Sequence, residues 1–399
     1  MEQYAYIMAG AGAAGLSLTY HLIRAGLADR PILLIDQSPK VANDRTWCFW
    51  EARNGLGDAL YAPILFRRWQ RVHFYSPYFS QTLDLSPYEY KMIQGADFYR
   101  LMDQTLSQWP NIVRRYGRVE RIEDRPNEAV VHVDGAAYRG AWVFNSIPTP
   151  IAGLGSPETP QEGYHRLLQH FAGWVVATPH PKFDPSAATL MDFRIDQHGE
   201  CRFCYVLPFD HRRALVEFTV FSPRLLPRDV YDHEIKKYLS DFLHIVEYQI
   251  EHVEFGVIPM TDAPFETFPG RRIVNIGTAG GCAKPSTGYT FLRIQHQAQQ
   301  ITNALKRTGR PHYRASPFQR RFGLYDSVLL NILEKRRYPA PRVFGDLFAR
   351  NPAPRVLSFL DETSNILDEL GVLLSTHYPP FIAATFDVTL GRLWQQVRR

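Results

Sequence analysis

The chain is 399 residues long, 45% hydrophobic and 21% charged, with a net charge of +5. That length suggests two or three structural units, and that balance excludes a disordered, collagenous or coiled-coil chain. Four cysteines in so long a chain exclude a secreted disulfide scaffold, and no apolar run reaches the roughly 18 residues of a bilayer span. Aromatic rings are abundant, at 13%, which suits a large unsaturated ligand or an aromatic-rich core.

Residues 4–9 read as a short buried strand. Gly10-Ala11-Gly12-Ala13-Ala14-Gly15 follows and opens a helix over about 16–25, which Gly26 stops. Residues 31–36, PILLID, form a second apolar strand ending in an acid. A β-turn-α-β unit of this kind implies parallel strands and a right-handed crossover. The glycines fit G-x-G-x-x-G in the required context. Gly10 permits the tight turn, Gly12 lets backbone approach a pyrophosphate, and Gly15 lets the helix pack on the sheet. Unpaired N–H groups at the helix start face the phosphates. Asp36 lies where an acid accepts hydrogen bonds from a ribose. An adenine dinucleotide is therefore expected. The motif's place at residue 10 favours FAD over NAD, as does a late glycine turn followed by Pro and helix, NIGTAGGCAKPSTGY at 275–289.

Further strands are expected at 71–75, 117–123, 129–134 and 141–146, and a helix at 97–109. The middle, 164–261, is rich in alternating strand-like runs that fit an antiparallel sheet. Cys201-x-x-Cys204 lies in one of them, which with no second such pair argues against a redox or metal role. Helical periodicity returns from about 290 to 306, and 307–399 is mostly helix with Pro breaks. The expected class is α/β: an FAD-binding Rossmann-like domain (1–163 plus 262–306), an inserted antiparallel substrate domain (164–261) and a helical C-terminal region (307–399).

Between Lys306 and Arg355 stand twelve Lys/Arg against three Asp/Glu, a net +9. Such a patch is either a solvated helical face or a site for an anionic partner. No RNA or DNA motif accompanies it, so nucleic acid is not expected. Phe322, Tyr325, Tyr338, Phe344 and Phe348 are candidates for insertion beside it into a membrane surface. The N-terminus has no basic segment leading into an apolar stretch and cleavage site, so a cytoplasmic protein, peripheral on the inner face of the membrane, is expected. No metal-ligand spacing occurs among the histidines, and H-E-x-x-H and G-x-S-x-G are absent from the sequence. No oligomeric state follows from it.

Several segments together resemble the flavin-dependent lycopene cyclases, in their bacterial β-cyclase branch: GAGAAGLSLTYHL (10–22), NDRTWCFW (43–50), LVEFT (215–219), IPMTD (258–262) and GTAGGCAKPSTGYTF (277–291). The resemblance implies an isomerase that turns the acyclic ends of lycopene into β-rings, with FAD active in its reduced form and NAD(P)H as reductant. A flavin monooxygenase of an aromatic or isoprenoid substrate is the alternative. It also implies cofactor contacts at Gly10, Ala11, Gly12, Ala14, Gly15, Asp36, Arg45 and Val119. In the late loop it implies Gly277, Thr278, Gly280, Gly281, Lys284, Pro285, Thr287, Gly288 and Tyr289. Related hydroxylases carry Gly-Asp where this chain has Gly277-Thr278, so Thr278 or a backbone amide has to replace that acid.

Cyclisation needs an acid kept neutral by an apolar pocket. The resemblance points to Glu217 in LVEFT, which alternation puts on one face with Leu215 and Thr219. The family pattern has a second acid next to it, where Phe218 stands here, so a single carboxylate is expected. Asp192 is the second candidate, to orient Glu217 or accept a proton. Asp262 either caps a turn or faces the site. Trp47, Phe49 and Trp50 are expected to line the substrate or stabilise a cation.

Overall fold

The computed structural model describes residues 2–148, 163–314 and 320–398. Strand Gln3–Ala9, helix Ala13–Arg24 and strand Ile32–Asp36 form the expected N-terminal unit. They belong to a seven-stranded sheet ordered Ile112–Tyr116, Ile32–Asp36, Gln3–Ala9, Ala136–Asn145, Ala129–Val133, Val119–Asp124, with Ile273–Asn275 pairing on Ala136–Asn145. The last two strands of that order run antiparallel and the rest are parallel. Burial inside a parallel sheet explains why Ile7, Met8 and Ala9 are apolar without alternation. The carboxyl ends of Gln3–Ala9, Ile32–Asp36 and Ile273–Asn275 point the same way, so the loops after them meet at one edge. Helix Phe291–Thr308 packs beside Ala13–Arg24 through a buried polar junction. There Gln295 donates to Ser17 at 2.9 Å and accepts from Tyr61 at 2.7 Å.

A second seven-stranded sheet runs Gln249–Thr261, Arg166–Ala177, Arg213–Ser222, Cys201–Pro208, Ala187–Asp192, Arg71–Tyr75, Ser80–Asp84. It is antiparallel except where Ala187–Asp192 meets Arg71–Tyr75. Two strands therefore join it from the first segment of the chain, beyond the 164–261 stretch. Val72, Phe74 and Leu83 extend its apolar face, which accounts for their recruitment. A small sheet of Thr46–Ala52, Tyr88–Gln94 and Leu65–Trp69 brackets Arg71–Tyr75 and Ser80–Asp84 in sequence.

Alternation gives the second sheet two different faces. Trp174, Cys204, Val216 and Phe218 pack against helix Arg228–Asp241 through Tyr231, Ile235, Tyr238 and Leu239. Phe203, Tyr205, Leu215 and Phe221 face the other way and share a core with Leu330, Phe344, Phe348 and Leu357 of the C-terminal helices. Each such buried ring or branched chain contributes about 1.5–3 kcal/mol. Cys201 and Cys204 fall in these two different cores and are free thiols.

The C-terminal region forms helices Arg320–Glu334, Ala340–Arg350, Ala353–Leu360, Ile366–Ser375 and Tyr378–Arg398. Phe322, Phe344 and Phe348 are only 1%, 3% and 4% exposed, so they do not form the membrane-inserting surface expected of them. Phe344 and Phe348 turn inward because the sheet offers an apolar face to cover, whereas Phe322 packs against Tyr325 and Phe359. The apolar side chains left in solvent lie further on, on the last two helices: Ile366, Leu367, Leu370 and Leu374, then Tyr378, Ile382, Phe386 and Leu390. Part of the basic stretch is also neutralised internally. Lys335 and Arg337 reach Asp387, Arg321 reaches Glu369 and Arg355 reaches Asp368. Among the described residues no helix is long and apolar enough to cross a membrane.

A buried ion cluster ties the late glycine loop to these helices. The Lys284 ammonium donates to both Asp326 oxygens at 2.9 and 3.0 Å and to Glu362 at 2.8 Å. Arg293 donates to the same Glu362 oxygen at 2.8 Å. Removing the cation strands buried carboxylates, so Lys284→Met should cost about 3–5 kcal/mol of stability. Lys306→Met, at an exposed position, should change it by no more than about 0.5 kcal/mol. Urea unfolding of the two variants against the parent chain measures the difference.

Candidate active site

A cavity of about 710 Å³ opens between the two large sheets. From the first sheet it is lined by Gly10, Gly12, Ala14 and Asp36, and from the second by Gln169, Tyr205, Leu215, Glu217 and Gly256. Arg45, Trp47, Tyr90, Thr278, Thr287, Gly288 and Tyr289 complete the wall.

At the first-sheet end, Gly10 has φ +98°, and a Cβ there would lie 2.2 Å from Ser146 Oγ. A Cβ on Gly12 would meet nothing within 4 Å, so this backbone faces open cavity and a ligand can approach it closely. Gly15 packs its helix on the turn: a Cβ would come within 2.0 Å of the Gly10 carbonyl. Asp36 accepts the Ala11 N–H at 2.8 Å and the Ser38 N–H at 2.9 Å, and its carboxylate sits at the cavity wall. The donor set, the bare glycine and the acid at the strand end fit an adenine dinucleotide. Val119 does not line this cavity. It lies on the outermost strand and packs with Tyr4, Ile7 and Val131, away from the cavity.

The late loop divides its expected contacts. Thr278, Thr287, Gly288 and Tyr289 line the cavity, whereas Gly277, Gly280, Gly281 and Pro285 shape the turn behind it. Lys284 points into the ion cluster with Asp326 and Glu362 instead. Gln169 Oε1 is buried at the wall with no hydrogen-bond partner among the described residues, and a Cβ on Gly288 would lie 2.0 Å from it. A buried acceptor without a partner marks where a ligand donor would be satisfied.

The second-sheet end carries the acid chemistry. Glu217, on Arg213–Ser222, stands directly opposite Tyr205 on one side and Gly173 on the other. Gly173 in turn stands opposite Glu254 on Gln249–Thr261. Directly opposed residues share a face, so two glutamates flank a residue with no side chain. They lie close enough for the charge of Glu254 to act on Glu217, so the pair favours holding one proton. Thr219 donates to Glu217 at 2.7 Å and Thr46 to Glu254 at 2.8 Å. Burial, and then the charge of Glu254, push the Glu217 carboxyl well above its ordinary range. Burial raises Glu254 too, against the hydrogen bond from Thr46 and the positive charge near His252. The site therefore has a carboxylate pair, contrary to the single acid expected. Phe218 is not the reason for its absence next door: residue 218 faces helix Arg228–Asp241 and could not have joined Glu217.

Three tyrosines stand beside the pair. Tyr90 and Tyr289 bring their hydroxyls within 3.2 Å, and Tyr205 stands opposite Glu217. Burial pushes all three well up, so they are neutral rings with hydroxyls. Trp47 also lines the cavity. Phe49 instead stacks on Phe291, 5.4 Å between centroids, and Trp50 packs on Tyr289 and donates to the Leu357 carbonyl at 3.2 Å. The sequence does not single out Glu254, Tyr90 or Tyr205. The only local signal for Glu254 is its alternation with Gly256 and Ile258, which line the cavity.

Two expected acids lie elsewhere. Asp192 pairs across to Cys204, hence on the helix face, and is fully buried between Arg194 at 2.9 Å and Tyr238 at 2.8 Å. It neither lines the cavity nor touches Glu217. Asp262 caps the start of Arg166–Ala177: it accepts the His165 N–H at 2.6 Å and its Nδ1 at 3.0 Å. His165 Nε2 accepts from Asn331 at 2.9 Å, which carries this link to the C-terminal helices.

The architecture recurs in solved flavoproteins. It resembles a geranylgeranyl bacteriochlorophyll reductase-like protein from Thermoplasma acidophilum (TM-score 0.66, 13% identity, 97% of this chain and 100% of that one). It also resembles a mutant of the halogenase PltM in complex with FAD (TM-score 0.60, 12% identity, 100% of this chain and 93% of that one). These likenesses define the fold class: α/β, of the reductase, monooxygenase and halogenase type. A model of the lycopene cyclase protein family matches residues 6–386, and the chain belongs to that family. It is 27% identical over 327 residues to "Lycopene beta cyclase, chloroplastic" of Arabidopsis thaliana. That match takes in 75% of this chain and 59% of the plant protein, so the chain spans about three fifths of its relative's length.

Proposed function

We propose that this chain is an FAD-dependent lycopene β-cyclase, which closes the acyclic ends of lycopene into β-rings with no net change in oxidation state. The observation that carries this reading is Glu217, a carboxyl at the wall of an aromatic cavity that also takes in the glycine turn and Asp36, where burial and Glu254 push its pKa up. An alkene is a weak base, and only a neutral acid in a dry site can protonate it.

Gly12, Asp36, Thr278, Thr287 and Gly288 are the residues that would hold FAD. Bound and reduced by NAD(P)H, the cofactor would supply negative charge near the developing cation. The chain's residues do the rest. Glu217 delivers a proton to C2 of the end group. The faces of Tyr90, Tyr205, Tyr289 and Trp47 stabilise the cation at C1 while the C5–C6 double bond closes on it. Loss of a proton from C6 completes the ring and restores the proton count. Leu207, Leu215, Val257 and Pro259 keep the wall apolar and exclude the water that would trap the cation.

The proposed substrate is a hydrocarbon, so the same reading has the protein working at the inner face of a membrane. The exposed apolar side chains of the last two helices support it, Leu367 at 80% and Phe386 at 65% exposure among them.

Three measurements test these points. Gly12→Val should give folded protein without flavin absorbance, because the valine side chain enters the cavity; retention of full flavin would place the cofactor elsewhere. Glu217→Gln should lower conversion of lycopene by about 10²–10⁴-fold with flavin binding intact. In deuterated water the parent enzyme should leave one deuteron at C2 of each ring. Near-normal turnover by the variant would sink the assignment, and oxygen in the product would point to a monooxygenase. In flotation with lipid vesicles, the parent chain should rise with the lipid and the triple variant Leu367→Glu, Leu374→Glu, Phe386→Glu should stay behind. Equal flotation of both would remove the membrane reading.

A further inference from the structure

We propose that Glu254 is the positioning residue that keeps the proton on Glu217: an ionised carboxylate held across Gly173, accepting the hydrogen bond that neutral Glu217 donates. Its kinetic consequence rests on the cyclisation reading, whereas its geometry does not.

The register makes the pair. Glu217 and Glu254 come from strands on either side of Arg166–Ala177, both opposite Gly173. Next-but-one strands lie roughly 9–10 Å apart, so two glutamates meet only if nothing stands between them. A Cβ at Gly173 would lie 2.9 Å from Leu215 Cδ1 and 3.1 Å from Glu254 Cγ. The glycine is thus the gap through which the carboxyls reach each other. Each is also anchored from outside the pair, Glu217 by Thr219 and Glu254 by Thr46.

The surroundings decide which partner carries the charge. Glu254 has the His252 ring and the Arg45 guanidinium as neighbours, and both lower its pKa. Glu217 faces Tyr205 and Tyr289, with Cys48 and Cys204 nearby, all groups that burial holds in the neutral form. Burial and then the charge of Glu254 act on Glu217 in the raising direction. The negative charge therefore settles on Glu254 and the proton on Glu217, the member that lines the cavity. Two ionised carboxylates facing each other across a bare glycine repel strongly. Once Glu217 has given its proton to C2, that repulsion drives a proton back to the pair as C6 releases one. One proton leaves, one returns, and no co-reactant is consumed.

The test follows the protonated-carboxyl stretch of the flavin-loaded enzyme by infrared spectroscopy as pH is raised, beside the pH profile of kcat. The parent enzyme should show a carboxyl band that persists well above the ordinary carboxylate range and disappears in Glu217→Gln. With the neighbouring charge removed, Glu254→Gln should lose that band, and its activity, at a pH lower by about one unit or more. At acid pH it should regain most of its turnover. Glu254→Asp, which keeps a charge at greater distance, should fall between the two. A purely structural role would lower activity at every pH and leave the band's titration in place. A band that titrates alike in the parent, Glu254→Gln and Glu254→Asp overturns the proposal. If the parent makes no cyclic product, the cyclisation reading fails, and the infrared titration still decides whether Glu254 holds the proton.

Discussion

Strand Arg166–Ala177 runs between Arg213–Ser222 and Gln249–Thr261, and at its middle Gly173 carries nothing to separate the glutamates on either side. With Glu254 buried and Glu217 half-buried at the cavity wall, the two cannot both ionise cheaply, which favours one proton held by the pair. The other features of this end of the cavity are consistent with keeping that proton in place. The tyrosines are neutral, the walls beyond them are Leu and Val, and each glutamate has a threonine hydroxyl to fix its second oxygen.

The cavity joins this acid to a quite different kind of site. At the first sheet, strands end together and leave backbone N–H groups, a bare Gly12 and Asp36 facing the opening. Gln169 belongs to the same central strand as Gly173 and lies against Gly288 of the late loop. One strand therefore touches both halves, which fixes the distance between the dinucleotide turn and the proton.

The C-terminal helices hold this arrangement from behind. Lys284 and Arg293 anchor the late loop to Asp326 and Glu362. His165 and Asn331 tie Asp262, at the end of the outer strand, to the same helices. Their rings fill the core against the second sheet, while the last two helices keep a row of apolar side chains in solvent. Part of the charge in this region is used in local ion pairs, so its net +9 overstates what the surface offers to a partner.

Local chemistry was legible in the residues themselves. The turn from Gly10 to Gly15 and the acid at Asp36 depend on spacings within one βαβ unit, where sequence distance and spatial distance go together. Glu217 was reachable because alternation along one strand assigns its face and the family pattern assigns its chemistry. Glu254 was not, because its partnership is set by the register of two strands that pair with a third, and register across a sheet is a tertiary property. The same reason misplaced Asp192: register shifts on either side of Ala187–Asp192 alter which residues of that strand face the helix. Burial of Phe344 and Phe348 likewise depended on which face of each helix the second sheet covered, and helical periodicity shows only that such a face exists. The sequence by itself determined what kind of turn, acid and ring this chain possesses. Only the folded sheet decided which of them meet across a strand, because contacts between strands are made by backbone pairing whose register no single strand encodes.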